Sequence, residues 1–100
     1  MPDAYAITFR FKSDSTYSER LESLEELIKA ESPGKWWRET TSFYLFRSSK
    51  SAADLISHFY LKSKFDATKD IMGVINLSRK DHAHKGTFTD ADWESILSNR

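Results

Sequence analysis

Residues 4–11 alternate between two classes of side chain. Tyr5, Ile7, Phe9 and Phe11 share one parity, and Ala4, Ala6, Thr8 and Arg10 share the other. A period of two in aromatic and β-branched residues predicts a strand with one face turned to a core. The period then lengthens. Tyr17, Leu21, Leu24 and Ile28, with Leu27 beside them, form one stripe of an amphipathic helix. Thr16 and Glu19 have the spacing of a capping box at its start, and Pro33-Gly34 ends it. Glu19, Glu22, Glu25 and Glu26 lie mostly off the stripe and read as a solvated face.

Two strands are expected over 35–39 and 42–47, joined by a tight turn near Thr40-Thr41. The second is apolar on both faces, with Phe43 and Leu45 on one and Tyr44 and Phe46 on the other. Two helices cover only one face of a four-stranded sheet, so the opposite face is expected to be partly aromatic and to meet a partner. Ser51 and Asp54 cap a second helix, whose buried stripe is Leu55, Ile56 and Phe59. The run 70–77 is almost continuously apolar and predicts a central strand, in which Gly73 marks a close approach or a bulge. Residues 78–86 are polar, and within them 82–86 fit strand or loop equally. Thr89 and Asp92 are expected to cap a last short helix with Trp93, Ile96 and Leu97 on its apolar side. The order βαββαβα predicts one domain over 1–100, an α+β ferredoxin-like sandwich with an additional C-terminal helix.

Composition narrows the function classes. The fourteen Phe, Tyr and Trp residues are many for one small core, which again points to a second apolar surface. Fifteen basic and fifteen acidic residues argue against a purely electrostatic nucleic-acid binder. The balance conceals a tilt: residues 35–88 hold ten basic groups against five acidic, while both flanks are acidic. The absence of cysteine excludes disulfides and thiolate metal sites. The opening Met1-Pro2-Asp3 does not read as a signal peptide, and no run is apolar enough to cross a bilayer, so a cytoplasmic protein with no membrane association is expected.

Several local patterns resemble the SinR-like proteins, small relatives of the second CRISPR adaptation protein and, more distantly, of VapD-type ribonucleases. They are the opening strand Ala6-Ile7-Thr8-Phe9, the pair Trp36-Trp37 followed by Thr41-Ser42-Phe43-Tyr44-Leu45, Asp70 leading into Ile71-Met72-Gly73-Val74-Ile75, and Gly86-Thr87-Phe88 followed by Trp93. Together they span residues 5–97. The resemblance implies a ferredoxin-like fold and a homodimer. In the nuclease relatives the first strand ends in an aromatic residue followed by Asp, and one such Asp per subunit can hold a divalent metal near the dimer axis. Here the matching pair is Phe9-Arg10. A guanidinium has no lone pair to offer a cation and repels it. Asp14, four residues on, is the alternative carboxylate if the chain is a metal-dependent endoribonuclease.

The remaining chemistry is sparse. His82-x-His84 places two imidazoles on one side of an extended segment, but no third ligand lies nearby in sequence, so an exposed polar segment is preferred to a metal site. Neither a P-loop, a G-x-G-x-x-G nor a G-x-S-x-G turn occurs. Trp36 and Trp37, with Tyr44 and Phe46 and the cations Lys35, Arg38 and Arg47, could stack bases and neutralise phosphates. Adjacent strand residues point to opposite faces, however, which favours a division of these rings between core and interface. Arg10, Lys12, Arg79, Lys80 and Lys85 would form a basic rim if the first and last core strands are neighbours. The expected function is therefore a homodimeric ferredoxin-like binding or scaffold protein without metal-dependent nuclease activity or cofactor. Arg10, Lys12, Trp36, Trp37, Arg38, Arg79 and Lys80 would face RNA, DNA or a partner. The alternatives are the endoribonuclease and a small-molecule or partner-protein sensor.

Overall fold

The computed structural model describes residues 2–100. Seven elements follow one another: β1 (Asp3–Arg10), α1 (Tyr17–Glu31), β2 (Phe43–Ser48), α2 (Ala52–Lys62), β3 (Ile71–Asn76), β4 (Asp81–Lys85) and α3 (Asp92–Ser98). The strands form one antiparallel sheet in the order β2-β1-β3-β4. Trp37 adds a single bridge outside β2, opposite Leu45. With that bridge standing for the strand expected over 35–39, the first six elements trace the ferredoxin-like βαββαβ path, and β4 extends the sheet beyond its usual last strand.

Alternation along each strand separates the faces. On one lie Tyr5, Ile7 and Phe9 of β1, Tyr44 and Phe46 of β2, and Met72 and Val74 of β3, all buried. α1 and α2 cover this face through Leu24, Ile28, Leu55, Ile56 and Phe59. Rings stack within the layer, with Tyr5 and Phe46 5.6 Å apart and Phe9 and Phe11 edge-to-face at 5.7 Å. The fold thus rests on one apolar sandwich, whose burial supplies its main stabilisation.

Three local expectations need correction. Thr16 makes no capping bond to α1. Its hydroxyl donates to Asp14 Oδ1 at 3.0 Å and accepts from Arg20 Nε at 3.1 Å, so these neighbouring side chains take the place of the expected box. The strand over 35–39 shrinks to the Trp37 bridge because the Ser32 hydroxyl, rather than a strand, accepts the Arg47 N–H at 3.1 Å on the outer edge of β2. The last helix starts at Asp92, not beside Thr89, and there the Asp90 carboxylate accepts the Asp92 N–H at 2.9 Å. By contrast, the Ser51 hydroxyl does accept the Asp54 N–H, at 3.1 Å, and caps α2.

Candidate functional site

The second face of the sheet is built from the other parity. Register aligns its side chains in cross-strand rows: Leu45, Ala6, Ile75 and His82 in one, Phe43, Thr8, Gly73 and His84 in the next. Large residues stand on β2, small ones on β1, and α3 lies over β3 and β4. The chain places α3 there through Trp93. A Cβ at Gly73 would overlap the Trp93 ring, so the glycine is what lets the indole sit on the sheet. His82 and His84 flank that indole edge-on at 6.3 and 6.2 Å, and Phe88 packs against it at 5.1 Å. Arg100 closes the far end by donating to the Asn76 carbonyl at 3.0 Å and the Asp81 carbonyl at 2.7 Å.

The result is a trough. Its floor is the β1 row Ala4, Ala6 and Thr8, in which Ala4 and Thr8 are exposed and Ala6 is buried between Leu45 and Ile75; Leu45, Phe43 and Trp37 stand on one side and α3 on the other. Over residues 4–10 the strand runs on the order of 20 Å. Trp37 and Leu45 remain 39% and 36% exposed, and Ile96 on α3 is 67% exposed. Trp36, Leu61 and Leu77 are exposed elsewhere on the surface; Trp37, Leu45 and Ile96 are the exposed large apolar groups on the side of the open face.

The expected site residues divide between locations. Trp36 and Trp37 take opposite faces: Trp36 lies 6.0 Å from Tyr44 with the Lys29 ammonium over its ring, while Trp37 turns to the open face beside Phe43 at 6.3 Å. Arg38 belongs to the helical side, where it pairs with Glu25 at 3.3 Å. Burial and the Glu25 carboxylate beside it push the Tyr44 hydroxyl up to about 12. The basic rim is not continuous. β1 and β3 are neighbours but antiparallel, so Arg10 sits opposite Ile71 at one end of the sheet, while Arg79 pairs with Asp3 at the other. Lys80 lies in the same far turn, and Lys12 and Lys85 are at the Arg10 end, with Lys85 turned over the Tyr60 ring at 4.3 Å.

Asp14 is fully engaged. Its Oδ1 accepts from Arg20 Nη2 at 2.9 Å and from the Thr16 amide and hydroxyl at 3.0 Å each, and its Oδ2 takes the Lys69 ammonium at 2.7 Å. Lys69 foremost, then Arg20, hold its carboxyl far below the usual carboxylate range. The neighbouring Arg20, 4% exposed, also donates to the Asp70 carboxylate and to the Lys12 carbonyl. Asp70, 1% exposed, accepts the amides of Lys12 and Asp66 besides. This network ties the β1–α1 loop to the segment before β3. Sequence reading missed it, although Arg20 stands four and eight residues before Leu24 and Ile28, within the buried stripe of α1. His82 meets Glu94 at 2.6 Å, and His84 stacks on Phe88 at 4.3 Å. Among the described residues no three His, Cys, Asp or Glu are placed to share a metal ion. No family model, curated protein or solved structure matches this chain. No helix among the described residues is long and apolar enough to cross a membrane.

Proposed function

We propose that this chain is a homodimeric ferredoxin-like binding or scaffold domain that pairs through the open face of its sheet. The observation that carries the reading is the stepped relief of that face. α3 raises the β3–β4 half, and the β1–β2 half is left as a trough with a small-residue floor and the exposed Leu45 and Trp37 on its wall. A twofold axis lying in the interface, roughly parallel to the strands, would set the raised helix of each copy into the trough of the other. Such an interface is self-complementary, as twofold symmetry requires. It would cover Leu45, Trp37 and Ile96 at one step.

Binding rather than metal-dependent hydrolysis is supported by the state of the carboxylates. A metal at Asp14 would have to displace the Lys69 ammonium from Oδ2, and Arg10, at the position where the resembling nucleases carry Asp, brings positive charge instead. A second reading, contact with single-stranded nucleic acid, draws on Arg10, Arg47 and the exposed Trp37, which share the open face. Its check is binding of a labelled oligonucleotide that weakens steeply with salt.

Sedimentation tests the principal reading. The wild-type chain should behave as a dimer at micromolar concentration, and Leu45→Glu should be a monomer with an unchanged circular-dichroism spectrum. The position is a third exposed in the single chain, so a charge there spares the core. A wild-type chain that stays monomeric at high micromolar concentration removes the proposal.

A further inference from the structure

Where α3 meets the end of β1, the surface forms an open cleft of about 400 Å³. That is within the range of small-molecule sites, roughly 300–1,000 Å³. Ile71, Trp93 and Ile96 give it apolar walls, Arg10 enters from β1, and Asp90 and Asp92 enter from the start of α3. The charged groups are the informative part. Among the described residues none of the three takes part in an ion pair: Arg10 does not reach Asp90 or Asp92, and no other carboxylate neutralises it. The Asp90 carboxylate accepts only the Asp92 amide, through Oδ1. Opposite charges thus face one cleft across a gap that they do not close themselves.

We propose that this cleft binds a small zwitterion of amino-acid type with an apolar body. Its carboxylate would lie against the Arg10 guanidinium, which presents the fork geometry that carboxylates match. The ammonium would lie toward Asp90 and Asp92, and the apolar body would cover Ile71 and Trp93, away from the Ile96 surface assigned to the dimer. Charge selects this class. A simple anion meets repulsion from the two aspartates, a simple cation meets repulsion from Arg10, and a neutral apolar molecule leaves three charges to be desolvated without partners. The site goes beyond the dimer reading, since Arg10 and the Asp90–Asp92 turn lie at the end of the trough rather than on its Leu45 wall.

Titration of the isotope-labelled full chain, followed by amide and indole NMR signals, tests the assignment. The probes are leucine, phenylalanine and the dipeptide leucylleucine, each compared with its N-acetyl and carboxamide derivatives. At concentrations on the order of 10 mM, at least one zwitterion should shift the Trp93 indole signal together with the amides of 87–92 and Ile71, saturably. Either blocked derivative should bind about tenfold more weakly, the loss of one charged hydrogen-bonding group. Arg10→Met, at an exposed position, should weaken binding by a similar factor with the spectrum otherwise preserved, and Leu45→Glu should leave it unchanged, which separates this site from the dimer interface. The assignment fails if no zwitterion shifts these signals, or if blocked derivatives or Arg10→Met bind as well as their unmodified counterparts.

Discussion

Arg20 and Asp70 show how much one side chain can decide. Both are almost fully removed from water, and each is the other's charge partner. Arg20 keeps Asp14 when Asp70 is lost, but removing Arg20 leaves Asp70 buried without an ionic partner, which typically costs about 3–5 kcal/mol. Arg20→Ala should therefore lower the unfolding free energy by about that amount in urea titration, far more than loss of an exposed ion pair such as Lys64–Glu19 at 3.7 Å. Asp14 adds a pH signature. Its folded-state pKa lies below the ordinary value of about 3.9, so its contribution is present above that value and is lost as pH falls toward the folded pKa. Asp14→Asn should accordingly lower the Tm at pH 7, and the gap to wild type should narrow as pH drops below about 4. A gap unchanged at about pH 2 would show that Asp14 acts through shape rather than charge.

At the scale of elements, the sequence was most legible where apolar spacing and local capping agreed. α2 is the plain case: Leu55, Ile56 and Phe59 are buried and Ser51 caps the helix. β4 was illegible because neither of its faces is apolar in composition. On the helical side the Asp81 carboxylate accepts the Ala52 N–H at 2.8 Å and Lys85 covers Tyr60; on the other, His82 and His84 pack around Trp93. Long-range partners, not periodicity, make it a strand. α3 has an apolar side, yet none of its residues is buried, since a single helix on the edge half of a sheet face remains open to solvent. It depends on Trp93 seated over Gly73. Gly73→Ala should push that ring away, destabilise the chain by about 1–3 kcal/mol and speed amide exchange in α3 ahead of β1 and β3. Exchange that stays as slow as in wild type would contradict this account of how α3 is held.

For the whole molecule, the recurring theme is a sheet with two unlike faces. Most of the aromatic residues pack in or against the core, and only Trp37, Phe43, Phe88 and Trp93 stand on the other face; the split of Trp36 from Trp37 follows from strand alternation. The trough itself could not be read beforehand. It arises from register, which lines Ala6 up with Leu45 and Thr8 with Phe43, and from the return of α3 over the far half. The basic residues offer the converse lesson, because antiparallel pairing sends Arg10 and Arg79 to opposite ends of neighbouring strands.

The most direct test of the proposed pairing is a dilution series of amide NMR spectra, from roughly millimolar to a few micromolar, the range across which a moderate self-affinity would change occupancy. Signals of Ala4, Ala6, Thr8, Leu45 and the exposed side of α3 should move together with one dissociation constant, while those of α1 and α2 stay in place. Movement centred on α1 and α2, or an invariant spectrum from a chain that remains a monomer throughout, would contradict the account.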